Sequence, residues 1–239
     1  MKAIFSNQGY CNTCDTNTTF NAYSEWFRDN YICQNCKSIP RERALMSVIE
    51  KYYPNYSELS IHESSPCTRG TSVKLAKKCT KYASSHYYPK MKFGEKHSSG
   101  HLNIDLENQH FEDNSFDLVV TQDVMEHVFN PAMAFKEIMR TLKPGGAHIF
   151  TTPLVNKFKP SQICAKKDAN GHINHLCPPE YHGNPIDASG SLVTMRWGYD
   201  ITDYIYKNTG YPTTIFYIDD LEHGIRAEYI EVLITRKTT

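Results

Sequence analysis

The spacing Cys11-x2-Cys14-x18-Cys33-x2-Cys36 constrains this chain more than any other feature. Each Cys-x2-Cys knuckle lets two thiolates bite one ion, and the segment between the knuckles can fold back to complete a tetrahedron. That segment carries Thr18, Thr19, Phe20, Tyr23, Trp26, Phe27 and Tyr31, a β-prone and aromatic set that suits a hairpin. Four sulfur ligands fill the coordination sphere of zinc and leave no open position, so the reading is a structural zinc site. Redox dithiols or plain buried cysteines are the competing readings.

The remaining cysteines, Cys67, Cys79, Cys164 and Cys177, are scattered. The first residues lack an apolar signal region, and no run reaches the ~18 apolar residues of a membrane span. A reducing, cytoplasmic setting with no membrane contact is therefore expected. The 26 basic and 26 acidic residues cancel, which argues against nucleic acid or an anionic membrane as a partner.

Residues 1–39 read as a zinc ribbon and 40–56 as a connecting helix. In that helix Pro40 sits in the first turn, Ala44, Leu45, Val48, Ile49, Tyr52 and Tyr53 recur at helical spacing, and Pro54 and Asn55 end it. Arg41 and Arg43, beside the second knuckle, are expected to be solvated, with contact to a phosphate as the alternative. Residues 57–239 alternate strand-like and helix-like segments, which predicts an α/β domain with a mostly parallel sheet. Strands are expected at 58–62, 81–88, 101–106, 116–121 and 147–152. A short helix follows Gly70. A second has Asn130 as N-cap, Pro131 in its first turn and Ala134, Phe135, Ile138, Met139 and Leu142 on one face, and Lys143–Gly146 stops it. A helix over 200–209 precedes two strands, TTIFYIDDL and AEYIEVLITRK, joined by a short turn around Gly224.

The run DNSFDLVVTQDVMEHVFNPAMAFKEIMRTLKPGGAHIFTTP, Asp113 to Pro153, resembles the centre of class I S-adenosylmethionine-dependent methyltransferases of the type 11-like group. The resemblance implies a Rossmann-like, seven-stranded, mostly parallel sheet ending in an antiparallel hairpin, with S-adenosylmethionine as cofactor. It places cofactor contacts at the first turn, Glu63, Ser64, Ser65, Pro66 and Gly70, where Glu63 would pair with the ammonium of the methionine tail. His86 stands near the ribose position, with an exposed turn histidine as the equal alternative, Asp105 and Leu106 at the adenine, and Gln122, Asp123 and His127 near the sulfonium. Two departures stand out: the first turn has one glycine, and no acid follows the second strand, where the family usually grips the ribose hydroxyls. Glu126 and His127 also read as helix-start residues that favour their own helix dipole.

Residues 155–198 read as a substrate-binding lid, rich in special residues such as Tyr181, Asp187, Trp197 and Tyr199. Methyl transfer to a hydroxyl benefits from a base near neutral pH, so His175 and His182 are the candidate bases, with His127 in reserve. Each alone also fits a loop-packing role. Cys164, His172, His175 and Cys177 form a possible second metal set whose spacing matches no familiar zinc pattern. The expected acceptor is a small molecule, a hydroxyl of a sugar or nucleotide-linked sugar. The alternatives are an RNA base methyltransferase, against which the neutral charge counts, and a non-catalytic scaffold with a degenerate cofactor loop.

Overall fold

The computed structural model describes residues 2–238. Strands β1 (Phe5–Cys11), β2 (Thr16–Ala22) and β3 (Tyr31–Cys33) form an antiparallel sheet in the order β1-β2-β3, with the short helix α1 (Phe27–Asn30) on the return. Phe20, Ala22 and Tyr31 close its small core together with Cys11 and Cys33.

Helix α2 (Pro40–Tyr52) starts on Pro40 and is secured by Glu42, whose Oε2 accepts from the Ile39 N–H at 3.2 Å. Its apolar face, Ala44, Leu45, Val48 and Ile49, belongs to the same buried cluster as Ile61, Leu118, Val120, Ile149, Val232 and Ile234 of the main sheet. The helix that links the two parts is thus also a layer of the larger one.

The main sheet comprises β4 (Ser60–Ser64), β5 (Lys81–His86), β6 (Leu102–Asn103), β7 (Phe116–Gln122), β8 (Leu142–Thr151), β9 (Thr213–Phe216) and β10 (Val232–Arg236). Their spatial order is β9-β10-β8-β7-β4-β5-β6. β4 to β8 pair in parallel, while β10 runs antiparallel to both β8 and β9. The Rossmann-like, mostly parallel, seven-stranded sheet expected from the sequence is present. Side-chain alternation sorts β7 between two layers. Leu118 and Val120 face the cluster of α2 and α3 (Gly70–Lys78), and Val119 faces that of α4 (Pro131–Thr141) and α5 (Ile201–Thr209). Asn130 caps α4 as its sequence suggests, with Oδ1 accepting from Met133 N–H at 3.2 Å.

Two local expectations need correction. β8 begins at Leu142, so Lys143–Gly146 lie inside a strand that bulges opposite Phe116 and Leu118. The last two strands are not joined by a short turn. Residues 217–231 make an excursion that docks on the N-terminal module: Asn7 Nδ2 donates to Leu221 O at 2.7 Å and Tyr10 N–H to Glu222 O at 2.8 Å. Gly224 adopts φ +66°, and a Cβ there would stand 2.7 Å from the Phe20 ring, so only glycine fits this contact. Its carbonyl accepts from Arg43 Nε at 3.1 Å and Nη2 at 2.7 Å. Arg43 is therefore fully buried rather than solvated, its guanidinium lying over Phe20 and satisfied also by the carbonyls of Tyr31 and Ser38.

Residues 155–198 are organised as short antiparallel ribbons, pairing 162–163 with 195–196, 165–167 with 173–175 and 181–182 with 191–192. No helix among the described residues is long and apolar enough to cross a membrane.

Candidate active site

Strand order reverses at β4, with β5 and β6 on one side and β7 and β8 on the other. Open α/β sheets bind ligands beside the carboxyl ends of their strands at such a point. The residues at these ends are Ser64, His86, Asn103, Gln122 and Thr151.

The turn after β4 is held from below. Glu63 is fully buried. Its Oε1 accepts from Ser72 Oγ at 2.6 Å and Gln122 Nε2 at 2.9 Å, and its Oε2 from Tyr82 OH at 2.7 Å. Burial raises its pKa, opposed by those three hydrogen bonds. The expected pairing of Glu63 with a cofactor ammonium is thereby corrected: its carboxylate is spent on tying β4, α3, β5 and β7 together. Ser64 and Pro66 are buried, and Ser65 turns the chain at φ +57°, its N–H donating to Ser85 O at 2.7 Å. Gly70 has φ +58°, and a Cβ would lie 2.3 Å from Glu42 Oε2. This glycine is required by the packing of α3 on α2.

His86 ends β5 and is nearly buried, with His101 edge-on at 4.7 Å between ring centroids. Burial and the neighbouring His101 and His97 push its pKa down to about 4, so it is neutral at pH 7 and offers no charge to a ribose. Beyond β6, Asp105 Oδ1 accepts from Glu107 N–H at 2.9 Å, and Leu106 is buried in the cluster of α4. Glu107 in turn accepts from the N–H groups of Phe129 and Asn130, both at 2.9 Å, joining the two loops.

Gln122 is buried at the tip of β7, and its Oε1 has no donor. Asp123 follows at φ +51° and is held by two arginines from outside the sheet. Arg28 Nη2 of α1 lies 2.5 Å from Oδ2, Arg41 Nε of α2 lies 3.0 Å from it, and Thr151 Oγ1 donates to Oδ1 at 3.0 Å. Burial alone would raise the Asp123 pKa, but Arg41 and Arg28 outweigh it and bring it down to about 2. Arg41 is thus only partly exposed and paired, contrary to the solvated state expected from its position. Neither arginine was identified as a site residue, because their partner lies far away in sequence.

Residues 123–130 are a non-helical turn, so Glu126 and His127 do not start a helix. Glu126 is 2% exposed. Oε2 accepts from Thr152 Oγ1 at 2.9 Å, while Oε1 is buried without a donor, 3.7 Å from His127 Nε2. Burial and the Asp123 charge raise the Glu126 pKa to about 7. His127 Nδ1 faces Leu192 O at 2.9 Å, which requires the proton on Nδ1 and leaves the Nε2 lone pair free. Burial lowers its pKa, opposed by the Leu192 hydrogen bond. His182 completes the group, its ring 5.0 Å from that of His127 and perpendicular to it. Segment 192–197 holds this turn from above: Thr194 N–H donates to Glu126 O at 2.8 Å, and Trp197 Nε1 to Met125 O at 3.2 Å.

The structure thus brings His127 and His182 together and leaves His175 apart, exposed on the ribbon of residues 165–167 and 173–175. Among the described residues, Cys164, His172, His175 and Cys177 do not converge as a ligand set. Cys11, Cys14, Cys33 and Cys36 do converge, all four sulfurs lying within 4.8 Å of one another. The Cys11–Cys36 and Cys14–Cys33 sulfur distances are 3.7 and 4.0 Å. Zinc–sulfur bonds of about 2.3 Å at tetrahedral angles place sulfurs about 3.8 Å apart, so this donor set fits zinc.

Residues 64–150 match the family described as a methyltransferase domain. Among solved structures, the fold is similar to that of an S-adenosylmethionine-dependent methyltransferase from Mesorhizobium loti, with a TM-score of 0.51 at 17% identity, covering 81% of this chain and 97% of the other. It is similar also to the YcgJ protein of Bacillus subtilis, with a TM-score of 0.51 at 10% identity, covering 82% and 99%. At such identities the likeness is one of fold. None of the curated proteins matches the sequence.

Proposed function

We propose that this chain, which carries a methyltransferase domain over residues 64–150, methylates a hydroxyl of a small molecule, a sugar or nucleotide-linked sugar. The observation that carries this reading is the Glu126–His127–His182 group at the carboxyl edge of the sheet, beneath the ribbons of residues 155–198. S-adenosylmethionine, when bound, supplies a methyl group on a sulfonium, and the C–S electron pair stays with sulfur as the methyl leaves.

The chain's own residues fit that cofactor on one specific ground. Gln122 Oε1 is a buried acceptor without a donor at the tip of β7, and a charged ammonium would satisfy it. Ser64 and Ser65 lie beside it in the turn after β4, and His86 and Asp105 remain the candidates for ribose and adenine. His127 Nε2 takes the proton of the acceptor hydroxyl as its oxygen forms the new bond to the methyl carbon. Glu126 Oε1, at 3.7 Å, stabilises the imidazolium so formed. Residues 192–197 exclude water from above. Cys11, Cys14, Cys33 and Cys36 hold a structural zinc that fixes the module carrying Arg28.

Arg28 and Arg41 beside the site are balanced by Asp123 and Asp29, so they offer no free positive charge to an RNA backbone. Isothermal calorimetry with S-adenosylhomocysteine, followed by mass spectrometry of nucleotide sugars incubated with the enzyme and S-adenosylmethionine, tests the proposal. Binding and a mass gain of one methylene support it. Absence of binding at millimolar cofactor overturns it and leaves the scaffold reading.

A further inference from the structure

Glu126, His127 and His182 offer one carboxylate oxygen and two imidazole nitrogens whose ligand atoms lie within 4.8 Å of one another. Two histidines and a carboxylate that converge in this way are a donor set for a first-row divalent ion, and they leave further positions open. The group has the outer support that such sites need. His127 Nδ1 is engaged by Leu192 O at 2.9 Å, which points its other nitrogen into the cluster. Glu126 Oε2 is held by Thr152 Oγ1 at 2.9 Å, and Glu180 Oε1 stands 3.4 Å from His182 Nε2.

An independent observation points to a missing ligand. Glu126 Oε1 is completely buried and has no donor, a costly state for a carboxylate oxygen in the interior. It lies 3.7 Å from His127 Nε2, close to the ~3.0–3.4 Å that separates two ligands on one ion with bonds near 2.1 Å. His182, on the ribbon of residues 181–182 and 191–192, supplies the third ligand atom, within 4.8 Å of the other two.

We propose that Glu126, His127 and His182 bind one divalent transition-metal ion whose open positions take oxygens of the acceptor, two adjacent ones where the acceptor has them. The metal half rests on this geometry alone; the acceptor half rests on the methyl-transfer reading above. With the ion in place, His127 is a ligand rather than a base. The coordinated hydroxyl then becomes acidic enough to lose its proton to water, and its oxygen keeps the electron pair that attacks the methyl carbon. A vicinal diol, as in a sugar, suits two adjacent open positions on one ion.

The test uses Mn2+, which favours oxygen and imidazole donors over the four thiolates, added to full-length protein holding its zinc. Electron paramagnetic resonance should show one bound Mn2+ per chain. Affinity should drop by at least the ~10–100-fold that loss of even an outer supporting residue costs, in both His182→Ala and Glu126→Gln. His182 is on a partly exposed ribbon, so its removal leaves the core intact, and thermal melts check folding of both variants. Equal Mn2+ uptake by wild type and two folded variants, or none by wild type, overturns the metal site. Catechol, with adjacent hydroxyls, should lower the water proton relaxation enhancement of bound Mn2+ where phenol does not. An equal response to both overturns the acceptor half. S-adenosylhomocysteine binding, measured by calorimetry on the same samples, reports on the methyltransferase reading separately.

Discussion

Arg28 of the four-cysteine module and Asp123 at the end of β7 meet across the boundary between the two parts of the chain, with Nη2 2.5 Å from Oδ2. The side chains are 10% and 15% exposed, so this contact is largely desolvated, and Arg41 Nε approaches the same oxygen at 3.0 Å. One carboxylate thus engages two guanidinium groups, and Asp29, 3.7 Å from Arg28 and 3.3 Å from Arg41, supplies the second negative charge.

Asp123→Asn removes that anion and leaves the two largely desolvated arginines with only the half-exposed Asp29 as counter-charge. The expected loss of stability is about 3 kcal/mol in urea unfolding, the usual scale for breaking a buried pair from one side. Arg28→Met should cost less, because Arg41 still answers Asp123. With a pKa near 2 in the folded chain against 3.8 unfolded, Asp123 contributes fully above about pH 4, and this contribution is lost as pH falls through 2. A variant as stable as wild type would show that the pair contributes nothing.

Removing zinc should be felt at the cofactor site as well as in the module. Cys33→Ser, or prolonged chelation, is expected to lower zinc content from one ion per chain, measured by plasma mass spectrometry. Because the module positions Arg28, affinity for S-adenosylhomocysteine should fall by roughly tenfold, equivalent to about 1.4 kcal/mol. Full cofactor affinity in zinc-free protein would sever the link between the two parts.

Gly70→Ala combines a left-handed backbone with a collision. At φ +58° a side chain costs about 1 kcal/mol, and the added Cβ meets Glu42 Oε2 at 2.3 Å, so Glu42 must leave its contacts with Ile39 and Arg69. A loss of 2 kcal/mol or more, on the order of other strained backbone substitutions, is expected by denaturant titration.

His148, in β8, is fully buried, and burial with the nearby His62 pushes its pKa down to about 3 from 6.5. Below pH 6.5 the unfolded chain takes up a proton that the folded chain refuses, so this residue's contribution erodes as pH falls from 6.5 toward 3. Glu42 and Glu63, with raised pKa values, tilt the profile the other way, so the difference between two proteins is the informative quantity. Between pH 6.5 and 5, wild type should lose about 2 kcal/mol more than His148→Gln, which keeps a polar partner for Thr121. Parallel pH profiles would contradict this.

How much of this was legible in the sequence depends on how local the cause is. β7 and α4 could be read because their apolar periodicity, the Asn130 cap and Pro131 act within a few residues. The cysteine cluster was legible because its chemistry dictates its spacing. His127 and His182 were both named from their chemistry, and the structure sets them together, whereas His175, chosen on the same grounds, stands apart. Residue type alone could not separate them, since the ribbon pairings within residues 155–198 decide which ring turns inward. Arg41 and Arg43 looked like surface residues because Asp123 and Gly224, which engage them, are distant in sequence. Glu63 looked available to a ligand because its three donors, Ser72, Tyr82 and Gln122, come from three different elements.

The docking of residues 217–231 on the N-terminal module bears on the order in which the protein acquires its structure. Arg43 and Gly224 are separated by 181 residues, and two hydrogen bonds from the buried guanidinium end on that one carbonyl. At a translation rate of about 5–20 residues per second, Gly224 emerges roughly 10–40 s after Arg43. During that interval Phe20 and the Arg43 guanidinium lack their cover. The part of the chain made first is the part whose surface is finished last, so a nascent chain stalled before residue 217 presents a four-cysteine module open on the face that the mature protein seals.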